Sequence, residues 1–212
     1  VMENGSTDST SLIVENFIKT NSNFKIFNLP LVGKAGAVLE GIDKAKGDFI
    51  LMTDADMAVD IVDLKRLLHY LTDENYDISI ASRQGVGAKR INEPLKRHII
   101  GRIFNLLVRI FLLTGIKDTQ CGFKLFKSSV IKNITKKLVL YKDIQPNSKP
   151  RVTAFDIEIL FVAKKLNYNV KSLPVVWNYG EDTKVNTFWD SYYNLRDLLK
   201  IFIYEKQNKY SS

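Results

Sequence analysis

Cysteine and histidine are nearly absent from this chain. One cysteine, Cys121, among 212 residues excludes an internal disulfide, and two histidines leave too few Cys and His ligands for a structural zinc site. No uninterrupted apolar run reaches the ~18 residues that mark a membrane span, and the opening residues do not have the order of a signal peptide. The sequence therefore offers neither a spanning segment nor a visible export signal. Acidic residues are outnumbered, with Asp+Glu 23 against Lys+Arg 31, and the net charge of +8 favours an anionic partner: nucleotide, phosphate, nucleic acid or acidic membrane. Nucleic acid is the weakest of these, because no nucleic-acid-binding motif is present and the basic residues that follow Pro94 sit within an otherwise apolar helix.

What is there is an alternation of strand and helix patterns. Val1-Met2 reads as the tail of a strand entering a turn at Asn4-Gly5, and Leu12, Ile13, Phe17 and Ile18 follow at helical spacing. Residues 24–29 form a short strand candidate. A helix is expected from Lys34 to a stop at Gly47, then a buried strand at Phe49-Ile50-Leu51-Met52. Ile61, Leu64, Leu67, Leu68 and Leu71 mark another helix, and Ile78-Ser79-Ile80-Ala81 another strand. Residues 84–93 read as a polar basic loop, 122–126 as a strand, 139–150 as a polar loop, 153–165 as a helix, and 170–177 as an edge strand broken by Pro174. Such alternation predicts a single α/β domain over residues 1–212, with a mostly parallel sheet flanked by helices.

Four segments could carry chemistry. Asp54-Ala55-Asp56 follows the buried strand, where open α/β sheets place their ligands, and its two carboxylates suit Mg²⁺ or Mn²⁺ bound together with a diphosphate. Taken alone, the triplet is equally a solvated turn. Gly33-Lys34-Ala35-Gly36-Ala37 opens a helix and could face an anion, yet it matches neither the Walker nor the dinucleotide glycine spacing, and close helix packing explains it as well. Asp118-Thr119-Gln120-Cys121-Gly122-Phe123-Lys124 gathers an acid, an amide and a base in one turn-to-strand segment, with a structural turn as the plainer reading. Asp156 and Glu158 lie two apart on a helix, so they point to different sides and form no natural carboxylate pair.

Taken in this order with Glu3-Asn4-Gly5-Ser6-Thr7-Asp8 and Ser82-Arg83, these segments resemble the family 2 glycosyltransferases of GT-A fold. Within that family the run Asp118 to Phe126 is most similar to the branch of dolichyl-phosphate glucosyltransferases and polyprenyl-phosphate sugar synthases. The resemblance implies a metal at Asp54 and Asp56 and donor contacts from Glu3, Asn4, Lys34, Asp54 and Arg83. It also implies acceptor contacts from Gln120 and Lys124, with Asp156 and Asp56 as catalytic residues. A hexose, glucose from UDP-glucose being favoured, would pass with inversion to dolichyl or polyprenyl phosphate. The chain departs from the family in carrying Glu3 and Asn4 where two aspartates are usual. It is also expected to lack a first strand and helix, on the order of 20 to 40 residues by usual element lengths. Alternatives are a GDP-mannose-using relative and a non-catalytic membrane-surface or nucleotide-binding module on the same fold.

Two segments, 94–114 and 187–204, are expected to be amphipathic membrane-interface helices. The first is apolar nearly all round except for the stripe His98, Arg102, Asn105 and Arg109, spaced 4, 3 and 4 apart, which holds almost the only polar residues up to Leu113 after Lys96 and Arg97. The second carries Trp189, Tyr192 and Tyr193, residue types enriched at interfaces. Together they predict peripheral attachment to a membrane, and the nucleotide-sugar donor that the resemblance implies puts the expected attachment on the cytoplasmic face.

Overall fold

The computed structural model describes residues 1–30, 33–142, 154–180 and 187–210. Its architecture is α/β. A short strand β1 (Met2–Glu3) leads through α1 (Thr10–Thr20) to β2 (Phe27–Asn28), which pairs with β1 in parallel. Then come α2 (Gly33–Lys44), β3 (Phe49–Met52), α3 (Asp63–Thr72), β4 (Ile78–Ser82), β5 (Lys89–Ile91) and α4 (Leu95–Phe111). The chain continues with β6 (Lys124–Lys127), α5 (Ser128–Lys136), α6 (Phe155–Lys165), β7 (Val170–Pro174), β8 (Val176–Asn178) and α7 (Thr187–Lys206).

The main sheet has the order β3-β6-β4-β7. Strands β4 and β7 run parallel, as do β5 and β8 in a separate two-stranded ladder. Strand β6 slots antiparallel between β3 and β4, so this sheet is mixed, a detail that strand-helix alternation does not reveal. All five residues of β4 are buried, consistent with its place inside the sheet and its covering on both faces. Ile78, Ile80 and Phe126 join a core with α4, α5, α6 and α7 on one face. Ala81 and Leu125 join Leu67, Leu71, Phe123 and Trp177 on the other, because successive residues of a strand point to opposite sides. Helix α6 is buried from Phe155 to Ala163, as an almost uniformly apolar helix must be.

One expectation needs correction, one helix was not expected, and the broken edge strand is found as expected. The polar loop at 84–93 contains β5, since its backbone finds a partner in β8, 87 residues away in sequence. Helix α5 had no sequence expectation, and its buried Val130, Ile131 and Ile134 are the repeat that would have shown it. The 170–177 strand is split at Pro174 into β7, at the sheet edge, and β8. Of the 139–150 loop, residues 143–150 lie outside the described residues. Among the described residues, no helix is long and apolar enough to cross a membrane.

Candidate active site

A cleft of about 400 Å³ opens at the carboxyl ends of β3 and β4. At one end of it the chain leaves β3 through Thr53 into a turn in which Met57 N–H donates to the Asp54 carbonyl at 3.5 Å and Ala58 N–H to Asp56 Oδ1 at 3.1 Å. Met57 closes the turn at φ +50°, a left-handed conformation costly for a non-glycine residue. Both carboxylates consequently line the cleft. Lys34, in the first turn of α2, reaches across so that its Nζ lies 2.7 Å from Asp54 Oδ1. Burial works to lower the Lys34 pKa, but the charges of Asp54, Asp156 and Asp56 outweigh it and the ammonium is held above its ordinary value. Gly122 lies directly behind Asp54, and any β-carbon there would overlap the carboxylate. Glycine at this position is therefore dictated by close approach of the aspartate.

This donor set fits Mg²⁺ or Mn²⁺. Two hard carboxylates at a strand end, with Asp54 half-exposed, leave most coordination positions to phosphate oxygens and water, which is how Mg²⁺ usually binds in nucleotide sites. Among the described residues no cluster of three or more His, Cys, Asp or Glu side chains forms a metal cage.

The opposite wall is cationic. Arg83, just past β4, grips the fully buried Asp118 with Nε and Nη2 at 2.8 Å each, and its backbone N–H donates to the same carboxylate at 2.8 Å. Burial alone would raise the Asp118 pKa, yet the Arg83 charge and these hydrogen bonds bring it down to about 2. The Arg83 guanidinium also lies 5.3 Å from the Trp177 ring centre. Arg90 donates to both oxygens of Glu93 at 2.9 and 2.8 Å, and His98 Nδ1 lies 2.8 Å from the same carboxylate. Burial opposes ionisation of Glu93, but the bonds from Arg90 and His98 prevail and lower its pKa. Arg97 stacks 5.0 Å from the Tyr179 ring centre and reaches the tyrosine hydroxyl at 3.5 Å. Among the described residues Arg97 has no carboxylate within ion-pair distance, so of the three arginines lining the cleft it alone retains an uncompensated charge.

Several sequence-predicted residues sit elsewhere. Asp54, Asp56, Lys34, Arg83 and Gln120 are gathered in the cleft. Lys124 was expected to face it alongside Arg83 and instead points into the protein. It donates to the Cys121 carbonyl at 2.6 Å and to Asp156 Oδ1 at 2.5 Å, and it is 1% exposed. Lys124 is buried because both faces of β6 are covered, Phe126 lying in one core and Leu125 in the other. Glu3 is buried too, its carboxylate accepting from Ser6 N–H at 2.5 Å and Gly5 N–H at 3.2 Å. Ser6 is the main reason its pKa lies below the usual value. Neither Glu3 nor Asn4 lines the cleft. Burial pushes the Cys121 thiol up to about 11, which bears out its reading as a small core residue. Glu158 and Asp156 indeed serve different partners: Glu158 accepts from the N–H groups of Val139, Leu140 and Tyr141 at 2.6 to 3.0 Å and from the Tyr210 hydroxyl at 2.7 Å.

Sequence reasoning missed Arg90, Glu93 and Arg97 as site residues. The clue was available as a basic run ending at a proline, but only the β5–β8 ladder puts that run against Trp177 and Tyr179.

A carboxylate pair at a strand end and a cationic wall share one cleft, an arrangement whose charges suit a metal and an anionic ligand, and sequence comparison gives the chain a family. The profile of glycosyl transferase family 2 matches residues 1–135, and the chain belongs to that family. Dolichyl-phosphate beta-glucosyltransferase of Dictyostelium discoideum is 32% identical over 212 residues, covering 95% of this chain and 61% of that protein. The Homo sapiens protein of the same name is 30% identical over 210 residues, covering 95% and 62%. The chain thus spans about three fifths of the length of these curated relatives. In three dimensions it is similar to glucosyl-3-phosphoglycerate synthase from Mycobacterium tuberculosis, solved with Mn²⁺ and UDP-glucose. The TM-score is 0.60 at 12% identity, covering 95% of this chain and 66% of that one. The fold is accordingly the GT-A fold.

Proposed function

We propose that this chain transfers a hexose, with glucose from UDP-glucose favoured, to dolichyl or a related polyprenyl phosphate with inversion. The observation that carries the reading is one cleft holding Asp54 and Asp56 at one end and the uncompensated Arg97 in the facing wall. A sugar nucleotide and a phosphate acceptor can then be held together. In the transfer an acceptor phosphate oxygen attacks the anomeric carbon as the bond to the nucleotide diphosphate breaks, and the diphosphate leaves with that electron pair. A bound divalent cation would supply charge neutralisation for the leaving diphosphate. The protein's own residues do the rest. Lys34 offers an ammonium beside the same phosphates, and Arg97 attracts the acceptor. A phosphate monoester, with a second pKa of about 6, is already largely dianionic at neutral pH, so no strong general base is needed. Asp156, paired with Lys124, orients this end of the cleft electrostatically.

A membrane-surface location supports the same reading. Helices α4 and α7 pack together, with Phe111 and Phe202 ring centres 5.3 Å apart, and both border the cleft. Leu95, Ile99, Ile103, Leu106 and Ile110 on α4 are exposed at helical spacing, and so are Trp189, Tyr192, Leu195, Leu199 and Ile203 on α7. Apolar faces of this size beside a site for a lipid phosphate suit the headgroup layer, on the face where nucleotide sugars are available.

Turnover of radiolabelled UDP-glucose into an organic-extractable product, dependent on added dolichyl phosphate, tests the transfer. A chain that binds the nucleotide sugar yet yields no lipid product would favour the non-catalytic alternative, and a preference for GDP-mannose would favour the mannosyl one.

A further inference from the structure

Helix α4 lines the cleft with Arg97, Ile100, Gly101, Phe104 and Asn105, and of these Arg97, Gly101 and Asn105 are four apart, with about 6 Å of helix rise between each. Gly101 is unusual there. Glycine within a helix sacrifices stability relative to alanine, and such a choice is ordinarily explained by a close neighbour that leaves no room for a side chain. At Gly101 a β-carbon would meet nothing within 4 Å, so packing does not explain it. The space it leaves belongs to the cleft.

One turn on, Asn105 is 5% exposed, and across the cleft on α7 Asn194 is 7% exposed. Both line the cleft, and among the described residues neither amide oxygen has a hydrogen-bond partner. Buried amide oxygens without partners bear their full desolvation cost, and two of them in the wall of one cavity call for a ligand that supplies donors. An ionised phosphate offers only acceptors, so the donors come from O–H or N–H groups elsewhere in the ligand.

We propose that Gly101, Asn105 and Asn194 form the hexose subsite of the cleft. The two amides, whose oxygens no described protein group holds in place, turn about their side-chain bonds to accept from sugar hydroxyls, and the missing side chain at 101 makes room for the pyranose ring. This assignment rests on the transferase reading above and deepens it. Its position is chemically coherent: the anomeric carbon has to meet the acceptor phosphate, and Arg97 lies one turn from Gly101 on the same helix face. A polar group that binds hydroxyls also discriminates, because a deoxygenated or epimeric sugar leaves the amide unpaired.

Calorimetric titration with UDP-glucose and with UDP separates this subsite from the rest of the cleft. Asn105→Leu, Asn194→Leu and Gly101→Leu are each expected to weaken UDP-glucose binding about tenfold while leaving UDP binding unchanged. The same variants should melt no lower than the wild type, since leucine removes an unpaired polar atom or a helix glycine. Unchanged UDP-glucose affinity in the asparagine variants, or an equal loss for UDP, would overturn the subsite while leaving the transferase reading standing. A wild-type chain that binds neither ligand would overturn both.

Discussion

The ammonium of Lys124 lies 2.5 Å from Asp156 Oδ1, and both side chains are buried, so the acid of helix α6 stands behind the cleft, which it does not line, as half of an ion pair. The segment 118–124 that bears Lys124 is an organising platform for the cleft. Asp118 fixes Arg83, Gly122 makes room for Asp54, and Lys124 neutralises Asp156.

Removing one member of that pair strands the other. Lys124→Met should destabilise the protein by about 3–5 kcal/mol in denaturant unfolding, and Lys124→Met/Asp156→Leu should recover much of that loss. If the lysine were an acceptor contact alone, the single variant would lose activity without losing stability.

Asp118 makes stability depend on pH in a defined window. Its pKa falls from an ordinary 3.8 to about 2 on folding, so the folded state is favoured above pH 3.8 and that advantage is lost as pH falls towards 2. The increment is about 2 kcal/mol. Unfolding free energies of Asp118→Asn between pH 4 and 2 should be flatter than those of the wild type by that amount.

Asp56→Asn should keep the fold and lower transfer at least about a hundredfold, the scale expected when several kcal/mol of charge stabilisation is lost. Excess chelator should do the same to the wild type. Circular dichroism and the radiolabel assay together check it, and an active variant would remove Asp56 from the metal site.

Ile103 and Ile110 stand exposed on the outer face of α4, away from Phe104 and Val108 in the core. Ile103→Glu/Ile110→Glu should reduce co-sedimentation with acidic liposomes at least about tenfold, given ~1.5–3 kcal/mol for burying each side chain, and should leave UDP binding intact. Equal sedimentation of variant and wild type would place the membrane contact elsewhere.

The Glu158 hub ties the 139–141 segment and Tyr210 to α6. Tyr210→Phe loses one hydrogen bond to a carboxylate and should cost about 1.5–3 kcal/mol, measurable as a lower melting temperature.

Local chemistry is what the sequence determined by itself. Apolar runs and helical spacing placed β3, β4, α3, α4 and α7, because backbone periodicity acts over neighbouring residues, and the family resemblance implied that Asp54, Asp56, Lys34 and Arg83 share one site. Only the tertiary structure decided what depends on distant partners. The cores packed on both faces of β6 enclosed Lys124, and the β5–β8 ladder brought Arg97 to Tyr179. The cleft joined Asn105 to Asn194, 89 positions apart. Whether a charge is free or compensated depends on which carboxylate lies within a few ångströms, and that is set by long-range pairing that no local pattern encodes.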